Sequence, residues 1–277
     1  SNSSAASDVY KRQVMQSQWE QLSVDGEAWY LMGSVLFQMG APQNALEYYR
    51  KALELAPGHL MVLLKLAPLY VTLGQADSAL ATYQKGLELY PDNIPLLSDY
   101  GMLLGELGRR EEAIDLLLRA QRIDPAAPGL NNNIGNVYTM MEEHEKAEEA
   151  FRRAIDNDPE DPESYYNLGN LYAIERKTED AEKCFLEAIR RNPRHSGAHV
   201  NLGNIYQNTG RTALAEEQFR LVLSINPALL APYINLAGLY QSTGRDELAG
   251  EIIRLGLRRF PDNEALKQYA DQIGSSP

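Results

Sequence analysis

A proline recurs every 34 residues through most of this chain, at Pro57, Pro91, Pro125, Pro159, Pro193, Pro227 and Pro261, without one insertion. That strict period constrains the fold more than any other feature. A unit this short cannot enclose a core alone and must bury its apolar face against its neighbours. With each proline set at position 32, residues 26–263 divide into seven units: 26–59, 60–93, 94–127, 128–161, 162–195, 196–229 and 230–263.

All units share one pattern. Position 4 is large (Trp29, Leu63, Leu97, Tyr165, Tyr233), position 8 is small (Gly33, Ala67, Gly101, Gly135, Gly169, Gly203, Ala237), and position 11 is bulky (Leu36, Tyr70, Leu104, Tyr138, Tyr172, Tyr206, Tyr240). Spacings of three and four residues belong to one helix face. A polar or glycine-containing turn follows, with Gly40, Gly74, Gly108, Gly210 or Gly244. The second helix then carries alanine at position 20, a bulky residue at position 24 (Tyr49, Tyr83, Phe151, Phe185, Phe219) and a small one at position 27. Small residues let two helices approach, and large ones fill the space opposite. Proline ends the second helix or marks the turn beyond it.

These residues resemble the tetratricopeptide repeat, a 34-residue helix-turn-helix unit with the signature W-x2-L-G-x2-Y, A-x3-F and P. The resemblance covers 26–263 and implies an all-α, right-handed α-solenoid of seven repeats with terminal capping helices. It also implies first helices lining a concave groove and second helices forming the convex back. Residues 264–277 are expected to be a C-terminal capping helix and tail, since Ala265, Leu266, Tyr269, Ala270 and Ile273 stand at helical spacing. In 9–25, Val14, Met15, Trp19 and Leu22 align 34 residues before Tyr48, Tyr49, Leu53 and Ala56, so this segment is expected to be a capping helix or a remnant repeat. Residues 1–8, rich in Ser and Ala, fit no repeat position and are expected to be a disordered, tag-like leader.

The chain carries little that points to chemistry. The chain has no glycine-rich phosphate loop, no nucleophile elbow and no HExxH, so no catalytic residue, metal or cofactor is expected. His195 and His199 are four residues apart, but they fall in the inter-repeat turn and at position 4, where a packing or surface role is expected. The one cysteine, Cys184, excludes an internal disulfide and leaves the compartment open, with the cytoplasm only weakly favoured. A net charge of −12 argues against nucleic acid, and no apolar run reaches the roughly 18–20 residues needed for membrane insertion. Half of that charge lies in unit 128–161. Its Glu142, Glu143, Glu145, Glu148 and Glu149 suggest a solvated face, or alternatively a docking patch for a basic partner.

Asparagine is the residue that packing does not explain. Position 6 is Asn133, Asn167, Asn201 and Asn235 in successive units, and position 9 is Asn136, Asn170 and Asn204. Both positions avoid the packing face. In the resembled fold they line the groove beside Tyr166, and an amide there can pair with the backbone of a bound extended chain. Such a ladder resembles the groove of O-linked N-acetylglucosamine transferases, whose position 6 asparagines hold peptide backbone. The correspondence fails earlier, where Leu31, Lys65 and Asp99 occupy position 6. The alternative is that the amides bond neighbouring helices. A clamp for a terminal carboxylate, as in co-chaperone repeats, is not expected, because Asn132, Gly197 and Asn201 stand where its cations belong. The earlier groove is more apolar, with Tyr30, Met61, Leu64, Pro68 and Val71.

The expected function is a non-catalytic scaffold that binds a protein or peptide segment in its groove. Two alternatives remain: the substrate-presenting part of a larger enzyme such as a glycosyltransferase, or a self-assembling array that forms homo-oligomers.

Overall fold

The computed structural model describes residues 25–274. The leader 1–8, the segment 9–24, the tail after Gly274 and the side chain of Ile273 lie outside that description. Among the described residues there are fifteen α-helices and no strand. They fall in two compact units, the first ending at Met141 and the second beginning at Glu142. The first unit holds α1 (Gly26–Gln38), α2 (Pro42–Leu55), α3 (Leu60–Thr72), α4 (Ala76–Leu89), α5 (Ile94–Glu106), α6 (Arg110–Ile123) and α7 (Leu130–Met140). The second holds α8 (His144–Asn157), α9 (Pro162–Ile174), α10 (Thr178–Arg191), α11 (Ser196–Asn208), α12 (Thr212–Ile225), α13 (Ala231–Ser242), α14 (Asp246–Arg259) and α15 (Glu264–Gly274). Within each unit every helix packs on the next, which makes the chain an α-solenoid.

The small-against-large pattern is physical contact. A Cβ added to Gly33 would stand 2.8 Å from the Tyr49 ring, and one on Gly169 would stand 2.7 Å from Phe185. On Gly203 it would lie 2.5 Å from Phe219. In these three pairs the missing side chain leaves the space that position 24 fills, while Ala67 and Ala237 hold the position in two others. Position 20 is alanine in every repeat and is fully buried at each. Position 27 meets position 3 of the following pair, as Gly86 does Leu96 and Gly256 does Leu266. Through that contact α15 lies on α13 and α14, with Leu266 fully buried.

The turns obey equally local rules. Gly40, Gly74, Gly108, Gly210 and Gly244 all have positive φ, the left-handed conformation that closes a helix C-terminus. Glu142 (φ 61°) and Arg176 (φ 60°) hold the same position without glycine's freedom. Each proline sits just past the end of a second helix, where its missing N–H costs nothing. Position 34 then caps the next first helix: His59, Asn93, Asp161, His195 and Asn263 each accept a hydrogen bond from a first-turn backbone N–H. Position 4 reaches back to the proline carbonyl. The donors there are Asn131 to Pro125, His199 to Pro193 and Tyr233 to Pro227.

Two substitutions test this geometry by denaturant unfolding. Gly203→Ala should cost about 1–3 kcal/mol through overpacking, although Ala favours a helix interior by roughly 0.5–1 kcal/mol. A net gain would show that the Phe219 ring has room to move. Arg176→Gly should stabilise by up to about 1 kcal/mol, because it removes a left-handed strain of roughly 1–2 kcal/mol.

Candidate functional site

Positions 6 and 9 are three residues apart, so on each first helix they share a face one turn long. In the second unit this face is built from α9, α11 and α13. Asn201 Nδ2 donates to Asn170 Oδ1 at 2.7 Å, and Asn235 Nδ2 donates to Asn204 Oδ1 at 2.8 Å. Position 6 of one repeat thus bonds position 9 of the repeat before it. The reading in which the amides tie neighbouring helices together describes these four residues. Each rung nevertheless uses one N–H and one oxygen lone pair, and the rest of each amide's capacity is left over.

That capacity borders a cleft. Asn170, Asn201, Asn204 and Asn208 line a depression of about 630 Å³, with Ile174 at its edge and Phe185 among its apolar lining. None of its eleven lining residues is ionisable. Ile174 is 58% exposed, whereas Asn208 and Ser242 hold the same helix position in the next two repeats. Ile174 and Asn208 are not among the residues expected at the site, and Phe185 is expected only as a packing residue. The break from aliphatic to polar at that position was the available signal.

The remaining expected site residues divide between the two units. Asn167 is half-buried on α9. Tyr166 is mainly a packing residue, its ring 4.7 Å from His195 and 6.0 Å from Phe185. It also blocks the place of a clamp cation, since a Cβ on Gly197 would lie 3.0 Å from the Tyr166 ring. Asn133, Asn136, Lys65 and Asp99 belong to the first unit. There Asn133 donates to Ser98 Oγ at 2.9 Å, Asn136 is half-buried, and Lys65 and Asp99 are exposed. Asp99 touches water on one side, yet the protein around its carboxyl raises its pKa by desolvation, with the Lys65 charge pulling the other way.

His195 and His199 have structural partners. His195 caps α11 through Nδ1 and meets Glu163 through Nε2 at 3.1 Å, while buried His199 bonds Gln218 and the Pro193 carbonyl. Burial pushes the Cys184 thiol up to about 11, which leaves it protonated and a poor nucleophile at neutral pH. No group of three or more His, Cys, Asp or Glu suited to a metal occurs among the described residues. No described helix is long and apolar enough to cross a membrane.

The acidic cluster of 142–149 is not uniformly solvated. Glu148 is half-buried and accepts from Tyr172 Oη at 2.9 Å and Arg152 Nε at 2.9 Å. Glu216 repeats the arrangement with Tyr240 and Arg220, adding Arg245 at 2.5 Å, and Glu182 takes both arms of Arg211. For Glu148 and Glu216 burial opposes ionisation, but the hydrogen bonds and cations outweigh it and hold both below the usual carboxylate range. Burial and the Glu148 bond push Tyr172 up to about 12.

Models of the tetratricopeptide repeat match residues 25–92, 74–130, 131–161, 162–195 and 184–217. No curated protein sequence is matched significantly. Among solved structures, a tetratricopeptide repeat protein from Parabacteroides merdae aligns with a TM-score of 0.66 at 17% identity, over 90% of this chain and 99% of that one. The Cut9–Hcn1 hetero-tetramer of the APC/C aligns at 0.66 and 18% identity, over 78% of this chain and 43% of that one. YrrB, described as a TPR protein with an unusual peptide-binding site, aligns at 0.51 and 21% identity, over 68% of this chain and 97% of that one. At these identities the likeness concerns the fold alone.

Among the ionisable groups, Glu216 offers a pH-dependent measurement. Its folded pKa is depressed, so its contribution is present above the unfolded value, about 4.3, and is lost as pH falls through the folded value. Glu216→Gln should therefore be less stable than the parent at pH 7, on the order of 1–2 kcal/mol. The difference should shrink in unfolding curves taken below about pH 4.

Proposed function

Because this chain belongs to the tetratricopeptide repeat family, we propose that it is a non-catalytic interaction scaffold whose cleft beside α9 and α11 binds an extended, uncharged segment of a partner polypeptide. The observation that carries this reading is the Asn201–Asn170 pair, with spare hydrogen-bonding capacity and with Asn204 beside it, in a cleft free of ionisable side chains. A peptide unit offers one N–H and one C=O, the same complement that an asparagine amide can satisfy in both directions. Main-chain recognition of this kind is indifferent to the ligand's side chains. Ile174, 58% exposed at the cleft, adds a preference for one apolar side chain next to the amides.

Charge supports the same choice. A terminal carboxylate needs cations to replace its lost water, and the cleft supplies none. A strongly charged ligand would lose hydration without gaining a partner. The peptide-binding site named for YrrB is consistent with a repeat surface used in this way.

Binding of the segment should change little between low and high salt, unlike binding that rests on exposed ion pairs. Replacing Asn167, Asn201 and Asn235 together by Ala should preserve helix content by circular dichroism. It should weaken a partner captured by affinity pulldown on the order of 10–100-fold, at about 1 kcal/mol per hydrogen bond lost. Unaltered affinity in the triple variant would sink the proposal.

A further inference from the structure

Two positions on the second helices change character along the chain. Positions 19 and 26 share a helix face and are polar or charged in the first five repeats, but both are leucine in the last two, as Leu214 and Leu221 on α12 and Leu248 and Leu255 on α14. The change does not bury them. Leu221 is 39% and Leu255 is 47% exposed, and Leu248 and Leu255 line a depression of about 250 Å³ between α12 and α14. Beside this flank α14 carries a stripe of exposed charge, Glu247, Glu251, Arg254 and Arg258, at helical spacing. The helix macrodipole accounts for acids in a first turn and bases in a last turn, but it falls off within that turn and does not reach Glu251 and Arg254 at mid-helix. Nor do these charges pair. None of the four makes an ion pair among the described residues, whereas α8, α10 and α12 each close at least one within the helix.

We infer that this face of α14 is the contact of a homodimer, in which α14 pairs antiparallel with α14 of a second copy across a two-fold axis. Charge selects the occupant. The stripe runs acid, acid, base, base, so reversing it gives its own complement: Glu247 lies opposite Arg258, and Glu251 opposite Arg254, of the second copy, each pairing occurring twice. The same register brings Leu248 alongside Leu255 of the second copy on the flank that borders α12. A foreign partner would need an independently matched sequence, whereas a second copy supplies the match by symmetry. Such a contact is isologous and closed, so it yields a pair and not an open array. One helix face buries less than the roughly 1,200 Å² of a stable interface, which places the dissociation constant at about 1 μM or weaker. No residue of α14 lines the amide cleft, so each copy keeps its cleft open in the pair.

Sedimentation of the full chain tests the pairing. The mass should rise towards twice that of one chain over about 1–100 μM, and should fall back as salt screens the exposed pairs. Glu251→Arg and Arg254→Glu, both at exposed mid-helix sites, should each weaken the dimer about tenfold or more by setting like charges opposite one another, with helix content retained by circular dichroism. Mixed in equal amounts, the two variants should associate again, because each then meets its complement. Replacing Asn167, Asn201 and Asn235 by Ala should leave the dimer as it is, which separates this contact from the cleft. A chain that stays monomeric throughout the series would overturn the inference. So would a dimer that survives both charge variants, a mixture that fails to associate, or growth beyond a dimer into an open array.

Discussion

The contact on which the repeats depend is between a small residue at position 8 and a bulky one at position 24, a glycine against an aromatic ring at Gly33, Gly169 and Gly203. With glycine at position 8 and Tyr49, Phe185 or Phe219 at position 24, the two helices of a pair close until the position 20 alanine is fully buried between them. That approach fixes how one face of the first helix is oriented, and so fixes where the opposite face points. Because position 27 then seats position 3 of the next repeat, the offset between successive first helices is set as well. The amide rungs follow from that offset. Asn201 meets Asn170 because the apolar seams behind them have already placed α11 against its neighbours.

The period, the helix pairs, the seam and the turns could all be read from sequence because each rests on sterics within about one helical turn or one repeat. Proline 32, glycine 8 and alanine 20 act through excluded volume, which leaves a mark at every recurrence. Bonding of the amides between neighbouring helices was one of two readings, but which positions pair was not legible. Asn201 and Asn170 are 31 residues apart, and nothing in a single 34-residue pattern says that position 6 lies opposite position 9 of the unit before. The same holds for histidine as a cap at 59 and 195, since His is an uncommon capping residue and its neighbours suggest only a turn. Glu148 was read with its exposed neighbours because charge density along a sequence is blind to Tyr172, which lies 24 residues further on.

Charge is distributed by role. Position 21 is apolar in the first unit, as Leu46, Leu80 and Ile114, and becomes Glu148, Glu182 and Glu216 in the second, where each carboxylate gathers a cation from the same or the following repeat. Such pairs are partly shielded from water, and a tyrosine hydroxyl joins two of them, so they specify how repeats dock more firmly than an isolated surface pair would. The cleft beside α9 and α11 receives none of this charge. An ionic seam and a neutral binding face on one unit keep the forces that hold repeats together separate from those that recognise a ligand.

The rungs also bear on how a ligand binds. A free asparagine side chain must be ordered when it grips a peptide, and that lost rotamer freedom subtracts from affinity. Asn170, Asn201, Asn204 and Asn235 are already ordered by one another when the protein folds. An incoming backbone that replaced a rung would exchange one amide bond for another with little net change. One that adds to the rungs, using the remaining N–H and C=O positions, gains new bonds to groups already held in place. The paired geometry therefore favours an extended chain lying along the rungs over one that separates them, and it makes interhelical bonding and ligand binding complementary uses of the same amides.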